Sequence, residues 1–65
     1  MINVNIIGRD SGDRTVQVTV EEAFKMKTEN PTFALIQDGN TITDQHQLKD
    51  GVDAALVPQI AGGSN

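Results

Sequence analysis

The sequence predicts an α+β domain, a mixed sheet of four to five strands with one short helix on one face. Three observations lead there. Two apolar–polar alternating runs open the chain, one stretch then shifts to helical spacing, and β-rich runs resume after a proline. At 65 residues there is room for one sheet and about one helix.

In the first run Ile2, Val4 and Ile6 face one way and Asn3 and Asn5 the other. That is the period of a half-buried strand. Residues 8–13 read Gly-Arg-Asp-Ser-Gly-Asp, a cluster of turn formers. Val16, Val18 and Val20 then alternate with Thr15, Gln17 and Thr19, so the two runs predict a β-hairpin. Thr19-Val20-Glu21-Glu22 has the form of a capping box and predicts a helix start. Val20, Ala23 and Phe24 share one helical face, and Lys25 and Lys27 are placed in the last turn, where cations suit the helix dipole. Asn30-Pro31 ends the helix, because proline disfavours a helical residue before it. A helix of about two to three turns is unstable alone in water, so it must lie on the sheet.

A strand is predicted over 32–37, with Phe33, Leu35 and Ile36 apolar. Asp38-Gly39 signals a hairpin, and 40–43 returns as a short strand. The polar stretch 44–51 has Leu48 as its core anchor and ends in a Lys49-Asp50-Gly51 turn. A last strand is expected over 52–57, closed by Pro58. Phe24 and Phe33 are assigned to the core. The expected domain is 1–58, with 59–65 a mobile tail holding two glycines. A hairpin followed by a helical crossover, with right-handed connection, puts the last strand beside the first and parallel to it. That is the β-grasp arrangement.

Composition narrows the function. Cysteine is absent, which excludes disulfides, thiolate metal sites and cysteine nucleophiles, and fits a cytoplasmic location. The formal charge is −4 and Arg9, Arg14, Lys25, Lys27 and Lys49 are scattered, so a phosphate backbone is repelled and no nucleic-acid partner is expected. There is no apolar run of about 18 residues, so no membrane partner is expected. Ser11 and Ser64 have no base partner, His46 sits in a polar loop, and the aspartates lack calcium-loop spacing. These observations predict a non-enzyme that binds no metal or cofactor, monomeric when alone, on which a larger partner acts.

The C-terminal stretch sharpens that expectation. An Asp50-Gly51 turn precedes an apolar last strand, followed by Pro58, Gln59, Ile60, Ala61, Gly62 and Gly63. This resembles the ubiquitin-like sulfur carriers, namely the thiamine-biosynthesis sulfur carrier and the molybdopterin synthase small subunit. The resemblance implies that a partner adenylating enzyme uses ATP to activate the carboxylate of Gly63, and that the acyl-adenylate becomes a thiocarboxylate. It also implies that Gly62 and Gly63 form the activated terminus or a cleavage site, and that Pro58, Gln59, Ile60 and Ala61 form a partner-binding tail. Glycine lacks a Cβ and fits a narrow channel. From Gln59 to Gly63 an extended tail reaches roughly 15 Å, at about 3.3 Å per residue. Ser64 and Asn65 follow Gly63, so a trimming protease is implied as a second partner. Pro58-Gln59-Ile60-Ala61-Gly62 is also similar to a segment in the N-terminal β-grasp domain of phage tail-assembly protein I. That resemblance implies a non-catalytic interaction module whose glycines are a linker or cleavage site.

Overall fold

The computed structural model describes residues 1–8 and 12–59. Strand β1 (Ile2–Ile6) and strand β2 (Arg14–Val18) form the expected hairpin, and helix α1 (Val20–Glu29) follows. Strand β3 (Phe33–Gln37), the two-residue strand β4 (Asn40–Thr41), a 3-10 turn (Gln45–Gln47) and strand β5 (Ala54–Pro58) complete the order. The strands make one five-stranded mixed sheet in the order β2-β1-β5-β3-β4. The last strand lies parallel to the first and antiparallel to the third. This is an α+β domain with the β-grasp arrangement.

Local chemistry explains each element. The Thr19 hydroxyl accepts from the Glu22 N–H at 3.1 Å, and the Glu22 carboxylate accepts from the Thr19 N–H at 3.1 Å. Two donors at the helix start are thereby satisfied reciprocally. At the other end the Asn30 amide donates to the Met26 carbonyl at 2.8 Å. Lys27 lies in the last turn, over the Phe24 ring at 5.5 Å, whereas Lys25 pairs with Glu29 one turn on. Asp38 (φ 54) and Gly39 (φ 77) both adopt left-handed backbone, the conformation of a two-residue hairpin turn. Gly8 is needed for a different reason. A Cβ there would run into the Gly12 carbonyl oxygen, so the close approach across the first hairpin loop requires glycine.

The core holds Ile2, Val4, Ala23, Leu35, Ile42, Leu48, Ala54 and Leu56. Leu48 is buried as expected. Phe24 and Phe33, expected inside, are half-buried and pack against the rim of this cluster. The centre is filled instead by the smaller aliphatics, with Ile2, Leu35, Ile42 and Val4 the largest fully buried side chains.

Several strand boundaries differ from the sequence expectation, and the third strand begins at Phe33 instead of Thr32. The fourth strand stops at Thr41 instead of Thr43. The Ile42 N–H still bonds the Leu35 carbonyl at 2.8 Å, but Thr43 and Asp44 turn away to start the 3-10 turn. There the Gln47 side-chain oxygen accepts from the Thr43 N–H at 2.6 Å and the Asp44 N–H at 2.9 Å. The last strand begins at Ala54 instead of Val52 and includes Pro58. Residues 51–53 are held in the preceding turn, because the Gly51 N–H bonds the Met1 carbonyl and Val52 gives its carbonyl to Gln37.

Gln37 is the buried polar residue among the described residues, at 3% exposed. Its amide donates to the Lys49 and Val52 carbonyls at 2.9 Å each and accepts from the Lys49 N–H at 2.8 Å. One side chain thus satisfies three backbone groups and fixes the entry to β5. Replacing Gln37 with leucine removes those partners together. Lys49 and Val52 are exposed, so each hydrogen bond lost costs its net worth of about 0.5–1.5 kcal/mol. Urea denaturation of Gln37→Leu should therefore show a loss of about 3 kcal/mol, whereas Thr19→Ala should lose only about 1 kcal/mol.

Candidate functional site at the end of the last strand

β5 delivers the chain to its C-terminal segment, and the sheet register determines how. The Ile7 N–H donates to the Leu56 carbonyl at 3.0 Å, so Leu56 turns its backbone groups toward β1. Backbone direction alternates along a strand. Ala55 and Val57 therefore turn theirs toward β3, opposite Ile36 and Ala34.

By the same alternation Pro58 faces the β1 side and has no N–H to give. The parallel ladder accordingly ends at the Ile6–Leu56 pair. The β3 side continues one step further, because the Gln59 N–H donates to the Thr32 carbonyl at 2.8 Å. Pro58 is thus a one-sided stop. It releases the chain from β1 while the β3 edge still holds Gln59.

Around this exit, Pro58 is half-buried opposite Phe33, and Gln59 is exposed. The Phe33 N–H is fixed by the Asn30 carbonyl at 2.9 Å. The end of α1 and the start of β3 therefore brace the exit together. Of the tail residues singled out from the sequence, Pro58 and Gln59 are placed here. Ile60, Ala61, Gly62 and Gly63 lie outside the described residues, as does the expected tail beyond Gln59.

The remaining polar features lie away from the exit. The Met1 ammonium pairs with the Asp50 carboxylate at the turn that enters β5, the opposite end of the strand. That hydrogen bond, reinforced by charge attraction, lowers the Asp50 pKa below its ordinary value. Asp44 is lowered as well, first by the hydrogen bond from the His46 N–H and then by the His46 ring 3.2 Å away. His46 itself is almost wholly solvent-exposed on the 3-10 turn. An open depression of about 470 Å³ lies beside it, lined by Gln37, Asp38, Thr41, Ile42 and Lys49 among others. No group of three or more potential metal ligands occurs among the described residues. No helix among them is long and apolar enough to cross a membrane.

Sequence reasoning missed Gln37 and the second capping box. Both had a signal. Gln37 shares the strand parity of Phe33 and Leu35, which places it inward. Asp44-Gln45-His46-Gln47 has the spacing of a capping box, as Thr19 to Glu22 does.

Comparison with protein-family models, curated proteins and solved structures returned no match.

The two lowered carboxylates make a pH prediction. A carboxylate whose folded pKa is depressed contributes stability above its unfolded value, and that contribution is lost as pH falls through the folded value. Stability should therefore fall as pH drops below about 3.8. Thermal melts of an Asp44→Asn, Asp50→Asn double variant should show a shallower acid-side slope than the parent.

Proposed function

We propose that the domain is a ubiquitin-like carrier that presents its C-terminal segment to a partner adenylating enzyme. The observation that carries this reading is the placement of β5. The strand is central, flanked by β1 and β3, and it ends in a proline stop with Gln59 still held by Thr32. Next in sequence come Ile60, Ala61, Gly62 and Gly63. A strand supported on both sides holds the chain as far as Gln59, and the residue types beyond it suit a narrow channel.

The chemistry begins with hydrolysis. Gly63 is joined to Ser64, so a protease must add water across that bond to free the glycine carboxylate. The carboxylate then attacks the α-phosphorus of ATP and pyrophosphate leaves. A sulfide equivalent supplied by the partner displaces AMP and leaves a thiocarboxylate. In this reading the carrier contributes the carboxylate and the partner contributes catalysis.

A second reading is favoured by one specific feature, the continuation of the chain as Ser64-Asn65. With the glycines internal, the domain would serve as a non-catalytic interaction module, such as the phage tail-assembly kind, and they would be a linker or a cleavage site.

Intact-mass spectrometry after co-expression with an adenylating enzyme of the sulfur-carrier class separates the two. The carrier reading expects truncation at Gly63 followed by an oxygen-for-sulfur mass gain, abolished by Gly63→Ala. That variant should keep its stability within about 0.5 kcal/mol. A variant ending at Gly63, which needs no protease, that still gains no sulfur contradicts the carrier reading and leaves the interaction module.

A further inference from the structure

The sheet has one long edge that nothing covers among the described residues. β2 lies outermost and pairs with β1 alone. Asn5 and Ile7 turn their backbone groups toward β5, as the Ile7 bond to Leu56 requires. Ile2, Val4 and Ile6 therefore bond toward β2, opposite Val18, Val16 and Arg14. Thr15 and Gln17 are left with N–H and C=O groups directed away from the sheet.

Edges of this kind are usually blunted by proline, a bulge or charges. β2 has no proline, and its register with β1 is unbroken over the whole strand. Its one charge is Arg14, at the end.

We propose that this edge pairs with a second copy of itself, β2 against β2 in antiparallel register about Val16. The strand is complementary to itself in that arrangement. Thr15 stands opposite the partner's Gln17 and each exchanges backbone hydrogen bonds with the other. Val16 meets the partner's Val16, and Arg14 stands opposite the partner's Val18. No like charges face each other across the pair.

Two further observations favour a second copy over an unrelated extended peptide. Val16 and Val18 are half-buried at the rim of the core, so pairing covers apolar surface that the monomer leaves partly open. Arg14 is on the helix-covered face by strand parity, with Val16 and Val18. In the dimer it lies beside the acidic first turn of the partner's helix. That turn carries Glu21 and Glu22, which give the basic residue a complementary site. The net charge of −4 on each copy opposes association, so the dimer forms at high concentration and strengthens with added salt.

The test is a concentration series of the full chain by sedimentation equilibrium, joined to amide hydrogen exchange. The expected result is reversible dimerisation that added salt strengthens, with the Thr15 and Gln17 amides protected only at high concentration. Gln17→Pro removes an outward N–H and no bond to β1, so it should keep the fold while weakening dimerisation by about tenfold or more. Thermal melts verify that the fold is retained. Arg14→Glu should weaken the dimer independently, because it leaves the β2 backbone intact. A chain that stays monomeric up to millimolar concentration overturns the proposal. So does a dimer that Gln17→Pro and Arg14→Glu leave unchanged.

Discussion

The architecture depends on β5, which is pinned between β1 in parallel and β3 in antiparallel. Parallel pairing needs a long crossover, and here the hairpin partner, the helix and the second hairpin all intervene between the two strands. The strand that closes the sheet is therefore the last to arrive in sequence and yet lies at its centre. Ala54 and Leu56 on one face complete the core under α1. Ala55 and Val57 meet Ile36 and Ala34 on the other face. Weakening β5 removes the partner of two strands together.

The entry and exit of β5 are controlled by different chemistry. At the entry, Gln37 clamps the loop through three hydrogen bonds and the Met1 carbonyl holds Gly51. At the exit, a missing N–H does the work on one side and a single bond from Gln59 to Thr32 on the other. A buried amide is costly unless fully satisfied. Every buried side-chain nitrogen and oxygen among the described residues has a partner. The entry of β5 is thus held by three bonds from one buried amide, and its exit at Gln59 by one backbone bond to Thr32.

Much of this was legible in the sequence because it is local. Thr19 and Glu22 announce the helix start, Asn30-Pro31 its end, and Asp38-Gly39 the second hairpin. The period-two pattern in β1 assigned Ile2 and Val4 to the interior correctly. What escaped is non-local. Val52 looks like strand by composition, but its carbonyl is claimed by Gln37, fifteen residues earlier. Phe24 and Phe33 look like core by hydrophobicity, but they are only partly buried against a cluster that includes Ile42 and Leu48 from beyond β4. At the candidate site the motif was readable as residue types. The one-sided release at Pro58 was not, because it depends on which neighbour each backbone group faces.

The central claim is that β5 is the most firmly held strand and carries the chain to its exit. Native-state hydrogen exchange on dilute protein tests it most directly, since amides in the last structure to open exchange only through global unfolding. Ala55, Leu56 and Val57 should be among the slowest amides of the chain, with exchange free energies equal to the global stability. If these amides instead exchange through local opening, as fast as those of Asn40 and Thr41, β5 is not the element on which the domain depends.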